Sequence, residues 1–147
     1  MQYHPRKAYW RKLNVEKVIA MAGGETSIKD QCGSALLVLK TTIGAAEGSA
    51  SEVVEAAKKL QYVLGAKLQS TPPGVEVSDS KFANLERALE AFEGAISAAG
   101  LNPADTPCRS DFDAAMAGAN GTTGKTLCGI AYAACLGARF AEYPSGS

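Results

Sequence analysis

Three features of the sequence predict an all-α fold: an antiparallel, up-and-down four-helix bundle with short extra helices and an extended N-terminal arm. Hydrophobic residues make up 46% of the 147-residue chain, much of that alanine, and aromatic residues only 7%. Such a composition suits helices packed at short range better than sheets held by bulky cross-strand pairs. Four long segments place apolar residues at helical spacing, and glycines or capping residues punctuate them. The length fits one domain with its own core, residues 13–147, behind an arm at residues 1–12.

In the arm, Tyr3, Tyr9 and Trp10 interleave with Arg6, Lys7, Arg11 and Lys12, and Pro5 blocks an early helix. The stretch LNVEKVIAMAGG then sets Val15, Val18, Ile19 and Ala22 at i, i+3, i+4 and i+7 before Gly23 and Gly24. That is a short amphipathic helix with a glycine stop. The first long helix follows in TSIKDQCGSALLVLKTTIG, capped by Thr26 or Ser27 and ended by Gly44. Its stripe is Ile28, Cys32, Ala35, Leu39 and Ile43. Ser49 and Glu52 make an S-x-x-E capping box for a second helix, with Val53, Ala57, Leu60, Leu64 and Leu68 as its seam. Glu55 and Lys59 pair at i,i+4 on its wet side.

After the break STPPGVEVS, Ser78 caps a third helix. Its Phe82, Leu85, Leu89, Phe92, Ile96 and Ala99 keep heptad spacing up to Gly100. Glu86, Glu90 and Glu93 read as a solvated ridge opposite that seam. The linker LNPADTPC leads to a short helix, SDFDAAMAG, and a last helix runs from about Lys125 to Glu142. In it Gly129, Ala133 and Gly137 recur every four residues, a small-residue face against which a neighbouring backbone can pack closely.

Fifteen Lys and Arg balance fifteen Asp and Glu, so net charge names no partner. The distribution says more. The arm carries four basic residues and no acid, whereas residues 76–113 carry eight acids against Lys81, Arg87 and Arg109. That polarity can orient the molecule in a complex. Four arm cations on a neutral chain argue against nucleic acid as the partner. No apolar run approaches the roughly 20 residues of a bilayer span, so no transmembrane segment is expected; peripheral association with a membrane complex fits.

The string ANGTTGKT at residues 119–126 satisfies a relaxed phosphate-loop pattern, with Ala119 in place of the leading Gly. That motif works where a β-strand feeds a tight loop whose N–H groups face phosphates. Here FDAAMAG before it reads as helix, and only 21 residues follow Thr126, too few for further βα units. Asn120-Gly121 therefore reads as a turn, Thr122 or Thr123 as a cap, Gly124 as relief between helices and Lys125 as surface charge. Asn120-Gly121-Thr122 is also a glycosylation acceptor pattern, which places the turn at the surface.

The four cysteines, Cys32, Cys108, Cys128 and Cys135, show no metal-binding spacing, and no metal or cofactor is expected. Cys128 and Cys135 lie about 10.5 Å apart along one helix axis, beyond the roughly 7 Å a disulfide spans. If the helices flanking residue 121 form a hairpin, Cys108 lies level with Cys135 and leaves Cys32 for Cys128. Both disulfides, Cys108–Cys135 and Cys32–Cys128, are therefore expected, and with them an oxidising compartment: secreted, periplasmic or an organelle lumen. The alternative is free thiols, since cysteine packs well in an alanine-rich bundle. The opening MQYHPRKAYWRK lacks the apolar stretch of a secretory signal, so export implies a leader outside these residues.

The only histidine, His4, sits in the arm, so no base stands near a nucleophile and a non-catalytic protein is expected. The first functional expectation is an accessory subunit that docks onto a larger protein complex. Tyr3, Arg6, Lys7, Tyr9, Trp10, Arg11 and Lys12 are its candidate anchors. In architecture alone, an arm before a bundle of this length resembles the PsbQ-like lumenal extrinsic subunits of photosystems. A second expectation is a carrier of a small apolar ligand or pigment, lined by Phe82, Phe92 and Tyr132. Nucleotide binding at 119–126 is the third.

Overall fold

The computed structural model describes residues 28–72 and 74–146. Among them the chain is all-helical, with no strand. Five α-helices follow in order: α1 (Ile28–Ala46), α2 (Ser51–Tyr62), α3 (Asp79–Ala98), α4 (Pro107–Gly118) and α5 (Gly121–Gly146). A π-helical segment, Val63–Leu68, continues α2, and a 3-10 turn, Pro103–Asp105, precedes α4. The arm and the short helix expected around residues 13–24 lie outside the described residues, as do Thr26 and Ser27.

The apolar seams fold as their spacing implies. Val53, Ala57, Leu60, Leu64 and Leu68 are all fully buried, as are Leu85, Phe92 and Ile96 on α3. On α1, Ile28, Cys32, Ala35 and Leu39 are buried, while Ile43 packs at the margin of the same core. α3 starts at the expected cap: the Lys81 amide donates to Ser78 Oγ at 3.2 Å. It ends at Gly100, whose φ of 110° suits glycine. There Leu101 N–H reaches back to the Ile96 carbonyl and Gly100 N–H to that of Ser97, a Schellman ending.

The second helix departs from expectation at its start. The Ser49–Glu52 capping box does not form, and α2 begins after Ala50 without a side-chain cap. The link from α1 is too short to free Ser49. Its hydroxyl donates to the Ala46 carbonyl, completing the end of α1 instead.

α5 is the hub. Residues 126–137 are buried without exception, and the helix packs against α1, α3 and α4. A helix enclosed on all sides cannot be amphipathic, and small residues let its neighbours close in. A Cβ at Gly129 would stand 2.9 Å from Leu85 Cδ2 and 3.1 Å from Leu89 Cδ1, on α3. A Cβ at Gly137 would stand 2.7 Å from Thr42 Oγ1, on α1. Positions four apart drift by about 40° around a helix, so the glycine repeat serves two neighbours in turn. At Gly137 the approach is close enough for Thr42 Oγ1 to donate to its carbonyl at 2.8 Å.

The cysteines follow from the same enclosure. α4 covers the face of α5 that carries both Cys128 and Cys135. Cys135 bonds Cys108 across a Cα–Cα distance of 5.7 Å, the expected hairpin pair. Cys128 packs with Ala115 and Ala131 under α4, beside Phe112 and Met116. Cys32 is buried in the main core with α1. The expected Cys32–Cys128 bridge is therefore absent: the two residues face different clusters, and both are free thiols.

Two measurements check this packing. Gly137→Ala should cost about 1–3 kcal/mol in urea unfolding, because the added methyl must displace Thr42. Gly44→Ala, where the new methyl meets nothing within 4 Å, should instead gain about 0.5–1 kcal/mol. Thiol counting should find two reactive cysteines in the denatured chain before reduction and all four after it.

Candidate functional site

Among the described residues, polar side chains gather at three places that differ in how much of their chemistry is engaged within the fold. The first is the start of α5, where the phosphate-loop string lies. Gly121 adopts φ 70°, and a Cβ there would stand 2.6 Å from Glu76 Oε2. That carboxylate accepts from the Thr123 amide at 3.1 Å and the Thr122 hydroxyl at 3.0 Å. In return the Val77 amide donates to Thr123 Oγ1 at 2.9 Å. The threonines thus bond across to the segment before α3 and tie the starts of α3 and α5 together. Lys125 is exposed, and Thr126 Oγ1 donates to the Thr122 carbonyl at 2.6 Å. The amide that a phosphate would use already holds a carboxylate, favourably placed at the positive end of a helix. The Thr123 amide, then the threonine hydroxyls, lower the Glu76 pKa below its ordinary value.

The second place joins α3, α4 and α5. Glu93 turns inward from the expected ridge. Arg109 Nη1 lies 2.7 Å from Glu93 Oε2, and the Tyr132 hydroxyl donates to the same oxygen. Arg109 Nε lies 3.3 Å from Asp113 Oδ1. Phe112 stacks on Tyr132 with ring centroids 4.4 Å apart and an 18° interplanar angle, and the guanidinium sits 5.6 Å and 5.9 Å from the two centroids. The hydrogen bond to Tyr132 and the charge of Glu93 raise the Arg109 pKa. Burial, then the bond to Glu93, raises that of Tyr132. A tyrosine so held is a poor base, and the shared carboxylate oxygen already meets two donors. The cluster clamps three helices beside the Cys108–Cys135 bridge.

The third place is open. A groove of about 660 Å³ runs between α3 and the junction of α2 with its π-helical segment, lined by Lys58, Lys59, Lys67 and Arg87 and by no acid. Val63 and Ala88 contribute apolar surface, and Tyr62 stands 60% exposed at its edge. The π-helical turn shapes it. Residues five apart come into register there, which brings Lys67 Nζ to 5.7 Å from the Tyr62 ring centroid. Lys59 thus lines a groove rather than closing a pair with Glu55. The signal for this site was in the sequence: residues 56–75 hold three lysines and no acid.

The expected partner-binding residues Tyr3, Arg6, Lys7, Tyr9, Trp10, Arg11 and Lys12 lie outside the described residues. Of the rings expected to line a carrier space, Phe92 is fully buried, Phe82 packs half-buried at the margin of the core and Tyr132 stacks on Phe112. Burial pushes the Cys32 thiol up to about 12 and the Cys128 thiol up to about 11. Among the described residues no three His, Cys, Asp or Glu side chains converge as metal ligands, and no helix is long and apolar enough to cross a membrane. Together, among the described residues, these features make an all-helical, disulfide-linked fold with an open cationic groove. The chain matches no protein-family model, no curated protein and no solved structure.

A carboxylate with a lowered pKa stabilises the fold above its unfolded pKa and loses that contribution as pH falls through the folded value. Wild-type should therefore exceed Glu76→Gln in stability at pH 7. The difference should shrink once pH drops below about 4.3, the unfolded glutamate value, as followed by urea unfolding across pH. The two buried thiols should react with a disulfide reagent at pH 8 at the rate of unfolding, not at that of an exposed cysteine.

Proposed function

We propose that this chain is a non-catalytic accessory subunit that docks onto a larger protein assembly, anchored in part by its N-terminal arm. The observation that carries this reading is where the polar groups are committed. Glu76, Glu93, Arg109 and Tyr132, which have the chemistry a reaction would need, all hold helices to one another. The arm adds Tyr9, Trp10 and Arg11, residue types that anchor protein interfaces. The Cys108–Cys135 bridge supports an oxidising compartment as the place of work.

The architecture we infer for it is an up-and-down bundle extended from four helices to five. α4 returns the chain so that α5 leaves from the same end as α3, a reading supported by the Thr122 hydroxyl and Thr123 amide donating to Glu76 and the Val77 amide donating to Thr123. The likeness to photosystem extrinsic subunits stays one of outline.

Deleting residues 1–12 and isolating the chain from its native source tests the role. Partner proteins should co-purify with the full chain and be lost from the deletion variant, whose thermal midpoint should not change. Undiminished co-purification would count against the arm as anchor.

A further inference from the structure

The groove beside α3 is built differently from the rest of the surface. It gathers four cations without an acid, in a chain whose charges balance only as a whole. Among the described residues, Arg109 pairs with Glu93 and Asp113, and none of the four groove cations takes part in an ion pair. Arg87 is steadied by Asn84 Oδ1 at 2.6 Å, which leaves its charge uncompensated.

Shape decides what kind of occupant fits. The α3 wall runs from Asn84 to Ala91, about 10 Å at the helical rise. That accommodates two turns of a helix or some three residues of extended chain. Lys58, Lys59, Tyr62, Lys67, Arg87 and Ala91 are all exposed, so the groove is a trough and not an enclosed pocket. Small-molecule sites bury about 70–90% of their ligand, and an open trough cannot. A polypeptide segment brings its own body to cover the trough.

Charge chooses among polypeptides. The chain's own arm carries Arg6, Lys7, Arg11 and Lys12 and would be repelled. An acidic segment is complementary, and tyrosine at the edge offers an aromatic platform for one apolar side chain.

We propose that this groove is the docking site for an acidic segment of a partner polypeptide. Lys58, Lys59, Lys67 and Arg87 meet its carboxylates, and Tyr62 takes an apolar side chain between them. The assignment rests on the accessory-subunit reading and names the chemistry of the partner. Contacts of this kind act largely through encounter rate and are sensitive to salt.

The test uses the full chain and a fluorescein-labelled amphipathic peptide of glutamate and leucine, read by anisotropy at low and physiological salt. Lys59→Glu/Arg87→Glu should weaken binding about tenfold or more, and Tyr62→Ala several-fold. Lys29→Glu/Lys40→Glu, which makes the same charge change on exposed positions of α1, should leave it unchanged. Circular dichroism melts confirm that each variant is folded.

Equal losses in the two double variants, or no binding by the wild-type chain, would overturn the assignment. So would phosphatidylserine vesicles that bind in a groove-dependent way while the peptide does not. Self-association of the chain alone, abolished by Lys59→Glu/Arg87→Glu, would assign the groove to a second copy and overturn it too. The accessory role is read separately: co-purification lost on arm deletion but kept by Lys59→Glu/Arg87→Glu leaves that role standing and removes the groove from it.

Discussion

The structure depends on enclosing one helix from every side. Residues 126–137 of α5 have no wet face, so neighbours must approach from several directions at once. Glycine at 129 admits Leu85 and Leu89, and glycine at 137 admits Thr42. Close approach brings its own polar problem, because a backbone so covered loses contact with water. Thr42 meets part of it by donating to the Gly137 carbonyl. Small residues at the centre, large ones on the surrounding helices and a single hydroxyl at the tightest crossing form one solution.

The polar clusters have the same job at the start and at the middle of that helix. At its start, Glu76 and Val77 bind the first turn from outside the α4–α5 hairpin. Further along, Glu93 and Arg109 meet Tyr132, and the Cys108–Cys135 bridge closes a sequence separation of 27, contributing on the order of 3–4 kcal/mol in the chain-entropy model. A carboxylate where a phosphate would sit is the instructive case. The string at 119–126 has the residue types of an anion site because helix starts attract anions, and here the anion comes from the protein's own chain.

Much of the fold was legible because its signals are local. The seams of α2 and α3, the Ser78 cap, the Gly100 stop and the Cys108–Cys135 pair all follow from spacing within a helix or across one short turn. The misses come from terms that spacing does not contain. Ser49 has a capping motif but lies too close to the end of α1 to use it. Glu93 shares its spacing with Glu86 and Glu90, yet α4 and α5 supply it with Arg109 and Tyr132. Cys128 and Cys135 do share a face, but α4 covers that face at both levels, which the geometry of a four-helix arrangement hid. The groove left its charge in the sequence, three lysines and no acid over 56–75, but not its shape, which needs a π-helical turn that apolar spacing does not mark.

That the enclosed helix is also the last of the five has a bearing on biosynthesis. A chain made from its N-terminus presents the stripes of α1, α2 and α3 before their common partner exists. Those helices can meet each other, but Leu85, Leu89 and Leu39 wait for α5 to fill the space between them. Folding of this domain is therefore completed only once α5 has emerged, and not helix by helix as the chain is made. The disulfide is subject to the same schedule, since Cys108 emerges well before Cys135 and stays open to other thiols until its partner arrives.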